Sequence, residues 1–220
     1  MIKTAIFDLD GTLCDTISDL ADSVNYALEQ MGCEKRSLAD IKSFVGNGIH
    51  NLITLSLPKE KRSEQDINTA KKFFFEYYKV HFADKTVAFD GIIQMLLALK
   101  QKGIQLAVCS NKEDSMAAAV VKKLFGDTFD IVLGQSDSFP LKPEPESTLH
   151  IIEKLGSKQE HTAFIGDSDV DIITAKNAGV YSIGVTWGFR SKKELIENGC
   201  TAIAESPWDI VKIIDNQNIC

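Results

Sequence analysis

Short apolar segments, each followed by a segment of helical periodicity, recur along most of this chain of 220 residues. The apolar, β-rich runs cover residues 4–7, 104–109, 131–133, 162–165 and 181–185. The helical runs cover residues 92–102, 114–125, 147–155 and 169–178. Strands that are apolar throughout and separated by helices are typical of a parallel sheet with both faces covered. The pattern therefore predicts an α/β fold with a doubly wound, Rossmann-like parallel sheet.

The alternation of strands and helices is interrupted after the first predicted strand. Residues 16–84 show helical periodicity with hardly any strand signal. The helices predicted there cover residues 19–32, 48–58 and 66–82. We interpret residues 16–84 as a helical cap domain, and residues 1–15 together with 85–220 as the Rossmann-like core. Six aromatic residues between positions 73 and 82 are expected to pack within the cap rather than to bind a ligand.

Charge and cysteine content restrict the class of partner. The formal net charge is -7 and no long Lys/Arg run is present, so neither nucleic acid nor a membrane is an expected partner. The five cysteines form no Cys-x-x-Cys pair and do not indicate a disulfide framework. No signal-peptide core or membrane-spanning apolar run is present. We expect a cytoplasmic protein, a monomer or homodimer, that acts on a small molecule.

Two acidic residues follow the first predicted strand, where the carboxyl end of a parallel sheet commonly holds a binding site. Asp8 and Asp10 are separated by one residue, and Gly11 permits a sharp turn that brings backbone amides toward an anion. Such carboxylates suit a hard cation, and Mg²⁺ fits their all-oxygen character. The alternative is an acidic turn that only ends a strand.

Three later turns carry polar residues of a related kind. Ser110, Asn111 and Lys112 follow the second strand and could bind phosphate oxygens, although Ser-Asn is also common turn and N-cap chemistry. Lys142 precedes a proline-stiffened helix start, which restricts the direction of its side chain, although a lone lysine is usually a solvated surface group.

The segment 166–171 contains three acids in five residues, more than helix capping requires. Within it, Asp167 is the predicted metal ligand, and Asp171 is predicted to lie just behind the ligands.

The ordered set Asp-x-Asp-Gly-Thr, Ser, Lys and Gly-Asp-x-x-x-Asp resembles the haloacid dehalogenase-like phosphatase superfamily over essentially the whole chain. The resemblance implies that Asp8 attacks phosphorus to form an aspartyl-phosphate, and that Asp10 protonates the leaving oxygen and then activates water. Two carboxylates this close titrate as a coupled pair, and we expect Asp10 to hold the proton.

The same resemblance implies a metal site and a phosphate site. Mg²⁺ would be held by the Asp8 carboxylate, the Asp10 backbone carbonyl and the Asp167 carboxylate. The groups that would bind phosphoryl oxygens are Thr12, Ser110, Asn111 and Lys142, with Lys112 adding positive charge.

The segment FVGNGIHNLI is similar to the cap signature of phosphoglycolate phosphatases. Gly46 and Gly48 would let backbone amides and the Asn47 side chain approach a small anionic group at a helix N-terminus, although these residues by themselves favour a plain turn between helices. The resemblance therefore favours hydrolysis of 2-phosphoglycolate or a similar small phosphate ester.

Other functions are compatible with the same motifs. Within the superfamily, related caps act on pyrophosphate, 5'-nucleotides or sugar phosphates, and a phosphomutase would keep every core residue. A signalling module with a phosphorylated Asp8 belongs to a different class. The second acid Asp10 and the long helical insertion argue against that module.

Overall fold

The computed structural model describes residues 1–219, and Cys220 lies outside the described residues. The strands are β1 (Thr4–Phe7), β2 (Cys14–Asp15), β3 (Val87–Ala88), β4 (Gln105–Glu113), β5 (Ile131–Gln135), β6 (Thr162–Gly166), β7 (Tyr181–Val185) and β8 (Ala202–Ala204). Six of them form one sheet in the order β5-β4-β1-β6-β7-β8, and every pairing in it is parallel. The predicted doubly wound parallel sheet is confirmed.

The helices lie on both faces of this sheet and in the segment between β2 and β3. They are α1 (Ile17–Gln30), α2 (Leu38–Phe44), α3 (Gly48–Ser56), α4 (Glu64–His81), α5 (Ile92–Gln101), α6 (Asp114–Phe125), α7 (Glu146–Lys154), α8 (Asp169–Asn177), α9 (Lys192–Glu197) and α10 (Pro207–Ile219). Among the described residues, no helix combines the length and the apolar character that crossing a membrane requires.

The alternation of side chains along β1 separates two parts of the core. Ala5 and Phe7 belong to an apolar cluster that includes residues of α5, α6 and α10. Ile6 points to the opposite face and joins a smaller cluster with residues of α7 and α8. Because successive side chains of a strand face opposite sides, a strand buried on both faces is mostly apolar. This explains the apolar run at residues 5–7, and the buried Thr4 before it has its hydroxyl hydrogen-bonded to Gln105 and Ser157.

Helices α1 to α4 enclose an apolar cluster of their own, built largely from α1, α3 and α4. The fully buried side chains Phe74 and Tyr78 of α4 stack with a ring-centroid separation of 5.1 Å and belong to this cluster. The prediction that residues 16–84 form a cap domain is compatible with this packing, and the exact limits of that domain stay a prediction.

The two chain crossings between the sheet and the α1–α4 segment pair with each other. Cys14 and Asp15 of β2 lie antiparallel to Val87 and Ala88 of β3. The sequence pattern missed this ribbon, and it also missed β8, α2, α9 and α10. Two-residue and three-residue strands are too short to show a periodicity, which explains the missing strands.

Asp19 in the first turn of α1 holds the second crossing in place. Its buried carboxylate accepts hydrogen bonds from the backbone N–H of Lys85 (3.0 and 3.1 Å) and Thr86 (2.8 Å) and from the Thr86 hydroxyl (2.7 Å). Four hydrogen bonds from the returning chain therefore end on one side chain of α1.

Asp19→Ala should lower the free energy of unfolding by about 2 to 4 kcal/mol, because it leaves buried backbone donors without an acceptor. Asp22→Ala is the matched control on the same helix, since Asp22 makes only an exposed ion pair with Lys85. That control should cost less than about 1 kcal/mol. Urea unfolding of both variants measures the difference, and equal losses would contradict the role given to Asp19.

Candidate active site

The polar residues converge at the carboxyl end of β1, the central strand. The neighbours of β1 are β4 on one side and β6 on the other, so the chain order reverses across it. In an open parallel sheet, this reversal leaves a crevice beyond the strand ends. Asp8 follows β1 directly, and Asp167 follows β6 directly.

Three buried carboxylates lie together in this crevice. Oxygen atoms of Asp8, Asp167 and Asp171 all fall within 4.8 Å of one another. The turn at Gly11 has φ +89°, and a Cβ there would lie 2.5 Å from Asp167 Oδ2. A side chain at this position would therefore meet both backbone strain and the Asp167 carboxylate. A glycine is therefore needed at position 11 both for the turn and for the close approach of Asp167 to the backbone.

Asp167 is held by hydrogen bonds to both oxygens. The Thr12 hydroxyl donates to Oδ1 (2.9 Å), and the Phe189 backbone N–H donates to Oδ2 (2.7 Å). Burial raises the pKa of Asp167 to about 8, with further increases from the charges of Asp171 and Asp8, and these hydrogen bonds lower it in part. In this structure the Thr12 hydroxyl, predicted to bind phosphate, positions a carboxylate.

Lys142 lies between two of the acids. Its ammonium donates to Asp8 Oδ1 (2.9 Å) and to Asp171 Oδ1 (2.7 Å), and its side chain is 3% exposed. Burial lowers the pKa of Lys142, but the charges of Asp171 and Asp8 raise it by more, so the group stays protonated. Lys142 is therefore not the solvated lysine that its sequence context also allowed.

Asp171 has two functions in the structure. Its Oδ2 accepts from the backbone N–H (3.1 Å) and the hydroxyl (2.6 Å) of Ser168, which closes a capping box at the start of α8. Its Oδ1 accepts from Lys142. One carboxylate thus caps the helix and orients the site lysine.

The site carries more negative than positive charge. Four carboxylates, including Asp10, face the two ammonium groups of Lys112 and Lys142, which leaves two negative charges when all are ionised. Burial raises the pKa of Asp8 to about 7; Lys142 opposes this shift, and Asp171 and Asp10 add to it. A hard divalent cation would remove this excess, and the donors are all oxygen. The residues present therefore fit Mg²⁺.

Asp10 is paired with a different lysine. The Lys112 ammonium lies 3.1 Å from each Asp10 carboxylate oxygen, and its side chain is 5% exposed. That Asp10 holds the proton of its pair with Asp8 stays a prediction.

Asn111 connects three segments of the chain. Its amide nitrogen donates to the carbonyls of Gly46 and Lys142 (3.0 Å each), and its side-chain oxygen accepts from the Lys142 backbone N–H (2.8 Å). With these partners, Asn111 positions Lys142 and the loop before α3. Ser110 lines the site cavity, and its hydroxyl accepts from the Lys112 backbone N–H (3.3 Å).

The three predicted residues of the loop before α3 are placed differently from one another. Gly46 and Gly48 line the cavity with φ +123° and +76°, whereas Asn47 between them is exposed and is not part of the cavity wall. The structure therefore brings the two glycines to the site and leaves the Asn47 side chain outside it. Arg190 donates to the Val45 carbonyl (2.8 Å) and holds the loop from the other side.

A cavity lies between the strand ends and the helices α1, α3 and α4. It has about 60 Å³ of space for the centres of water molecules, which is room for a few of them. Its wall contains Leu20, Val45, Gly46, Gly48, Ile49, Leu52, Phe74, Phe75, Tyr78, Met116, and the polar residues Asp8, Asp10, Ser110, Asn111, Lys112 and Glu113. The prediction that the α4 aromatics only pack is incomplete, because three of them also line this cavity.

Sequence reasoning missed the loop after β7. The Trp187 indole donates to the Thr12 carbonyl (3.0 Å), and Phe189 binds Asp167 through its backbone. A Cβ on Gly188 would overlap the Asp167 carboxylate. Any residue other than proline can donate through its backbone N–H, so the residue type at position 189 does not reveal this hydrogen bond. In the sequence of this loop, only the glycine at position 188 indicates a close approach of the backbone.

The chain is similar to known proteins over nearly its full length. The model of the family "haloacid dehalogenase-like hydrolase" matches residues 5–185. A phosphoglycolate phosphatase of Neisseria meningitidis is 37% identical over 205 residues, which cover 91% of this chain and 87% of that protein. A phosphoglycolate phosphatase of Agrobacterium fabrum is 37% identical over 188 residues, covering 84% of this chain and 81% of that protein.

A solved structure shows the same fold. The crystal structure of a protein from Lactobacillus delbrueckii subsp. bulgaricus, provisionally named phosphoglycolate phosphatase, superimposes with a TM-score of 0.90. The sequences are 34% identical, and the match covers 96% of this chain and 98% of that one.

Protons and Mg²⁺ should compete for the same carboxylates. The pKa of Asp8 is raised to about 7 and that of Asp167 to about 8, so lowering the pH through this window protonates them. We expect the affinity for Mg²⁺ to fall about 10- to 100-fold between about pH 8 and pH 6, with protons released on binding. Isothermal titration calorimetry in two buffers of different ionisation enthalpy measures both quantities.

Asp169→Asn is the matched control for this titration, since Asp169 lies in the same motif but is partly exposed and outside the carboxylate cluster. It should keep the wild-type affinity and pH dependence. An affinity for Mg²⁺ that does not change with pH would contradict binding at Asp8 and Asp167.

Proposed function

Because this chain belongs to the haloacid dehalogenase-like hydrolase family, we propose that it is a phosphate monoester hydrolase in which Asp8 is the nucleophile. The observation that carries the proposal is the position of Asp8 at the end of the central strand, 2.9 Å from the Lys142 ammonium and within the carboxylate cluster. The prediction of a phosphatase is confirmed by the family and by the relatives named phosphoglycolate phosphatase.

In the first step, an oxygen of the Asp8 carboxylate attacks phosphorus and the bond from phosphorus to the leaving oxygen breaks. Asp10 supplies the proton that the leaving oxygen takes up. It lies two residues after Asp8 in the chain and lines the same cavity. In the second step, Asp10 removes a proton from water, whose oxygen attacks phosphorus. Inorganic phosphate leaves, and Asp8 returns as a carboxylate.

Lys142 serves this reaction by its charge and its fixed position. Its ammonium bonds to the nucleophile, and Asn111 and Asp171 hold its backbone and its side chain. A preorganised cation beside the reacting carboxylate stabilises the negative charge of the transferring phosphoryl group without reorganisation. Ser110 adds a hydroxyl at the same wall.

We assign the metal site to the same cluster. The Asp8 and Asp167 carboxylates and the Asp10 backbone carbonyl would hold Mg²⁺, with Asp171 behind them. When bound, Mg²⁺ supplies positive charge to the phosphoryl oxygens and to the nucleophile. Thr12 and the backbone of Phe189 contribute by fixing the orientation of Asp167.

The proposed substrate is 2-phosphoglycolate or a similarly small phosphate ester. The relatives that carry this name and the limited space of the cavity support the choice. The predictions of a cytoplasmic location, of a monomer or homodimer, and of no nucleic-acid or membrane partner remain proposals. The phosphomutase and signalling-module alternatives gain no support from the relatives described above.

Asp8→Asn should reduce turnover by at least about a thousandfold, because an amide cannot form the phosphorylated intermediate. The variant should fold, since Lys142 keeps its bond to Asp171. Asp90→Asn makes the same chemical change at an exposed turn and should keep wild-type activity. Phosphate release with Mg²⁺ measures the rates, and a near-normal rate for Asp8→Asn would exclude covalent catalysis by Asp8.

A panel of phosphate esters tests the substrate separately. We expect 2-phosphoglycolate to have the highest kcat/KM, at least about tenfold above hexose phosphates and nucleoside monophosphates, whose leaving groups are larger than glycolate, and above pyrophosphate, whose leaving group has no carbon atoms to contact the apolar wall. Initial rates of phosphate release over a range of concentrations give the ratio. A higher kcat/KM for a hexose phosphate would reject this substrate and leave the phosphatase chemistry intact.

A further inference from the structure

One buried hydroxyl in the cavity wall has no acceptor for its proton. Tyr78 on α4 is 1% exposed, and in the part of the chain that the structure describes no acceptor lies within hydrogen-bond distance of its hydroxyl, although the Lys112 ammonium is close enough to lower its pKa as a donor does. The Lys112 ammonium lies 4.8 Å from the centre of its ring. A buried hydroxyl without an acceptor destabilises the folded state, so its presence calls for a physical explanation.

The other residues on the same side of the cavity are apolar. The wall contributed by α1, α3, α4 and the loop before α3 consists, apart from Tyr78, of Leu20, Val45, Gly46, Gly48, Ile49, Leu52, Phe74 and Phe75. The remaining polar side chains of the cavity come from the ends of β1 and β4. Within the described cavity, Tyr78 therefore offers the one side-chain polar atom on the side away from the sheet.

The protonation state of this hydroxyl limits what it can bind. Burial raises the pKa of Tyr78 to about 12, and the nearby Lys112 offsets only part of that rise. The hydroxyl therefore keeps its proton at neutral pH and acts as a hydrogen-bond donor. The adjacent ammonium favours an acceptor with negative charge. A carboxylate oxygen combines both properties.

We propose that Tyr78 is a specificity-determining residue whose hydroxyl donates a hydrogen bond to a carboxylate on the leaving group of a small phosphate ester. The inference rests on the proposed function, which places the phosphoryl group at Asp8. The leaving group then lies on the Asp10 side of the cavity, where Lys112 connects Asp10 to the ring of Tyr78. The apolar residues around it contact the carbon atoms of the leaving group and exclude larger hydrated groups.

Tyr78→Phe removes only the hydroxyl and tests this role. We compare kcat and KM for 2-phosphoglycolate and for ethyl phosphate, which has a methyl group in place of the carboxylate. The variant should raise the KM for 2-phosphoglycolate about tenfold with kcat within about twofold, as expected for the loss of one hydrogen bond in binding. The KM for ethyl phosphate should not change.

Tyr77→Phe is the matched control, because it makes the same change on the next residue of α4, outside the cavity. Its kinetic constants for both esters should equal those of the wild type. The melting temperature of Tyr78→Phe should equal or exceed the wild-type value, because the hydroxyl has no acceptor to lose. A merely structural role would instead lower the melting temperature and affect both esters.

The outcomes distinguish the inference from the proposed function. A wild-type enzyme that hydrolyses neither ester but releases phosphate from other esters contradicts the proposed substrate and the inference, and leaves the phosphatase chemistry intact. A wild type that hydrolyses 2-phosphoglycolate together with a Tyr78→Phe variant that is unchanged, or that loses activity equally on both esters, contradicts the inference alone. Activity of the wild type on ethyl phosphate with none on 2-phosphoglycolate also contradicts recognition of a carboxylate by Tyr78.

Discussion

The buried ion triad of Asp8, Lys142 and Asp171 is the interaction on which the rest of the site depends. Lys142 donates to both carboxylates at 2.9 and 2.7 Å, and all three side chains are nearly inaccessible to water. Burying charges is costly unless each has a partner, so the buried Lys142 ammonium needs at least one of the two carboxylates beside it. Its assembly requires the end of β1, the segment before α7 and the start of α8 to meet at one point. The sheet order provides that meeting.

Two residues of the core connect the triad to the segment of helices α1 to α4. Asn111 binds both Lys142 and the carbonyl of Gly46, and Arg190 binds the neighbouring carbonyl of Val45. Arg190 follows Phe189, whose backbone binds Asp167. The loop that closes one side of the cavity is thus anchored to residues that lie beside Lys142 and Asp167.

Most of the fold could be predicted because the strands are buried on both faces. The limits of Thr4–Phe7 and Tyr181–Val185 agree with the apolar runs, since strands of a parallel sheet that is covered on both faces consist mostly of apolar residues. The short strand Ala202–Ala204 and the ribbon of β2 and β3 contain too few residues for any period to appear. Their pairing depends on partners far away in the chain.

The sequence by itself determined which residues meet at the carboxyl end of the sheet, because motifs that follow parallel strands must share one edge. Asp8, Lys142, Asp167 and Asp171 were predicted on that ground, and all four lie together. Only the tertiary structure decided the partner of each group. In the structure Lys112 pairs with Asp10, and Asn111 and Thr12 bind other residues of the site. Tyr78 lies in the wall of the cavity, whereas Asn47 lies outside it. The physical reason is that both the hydrogen-bond partners and the face of α4 that lines the cavity depend on how segments distant in the chain pack together. Local periodicity in the sequence carries no information about that packing.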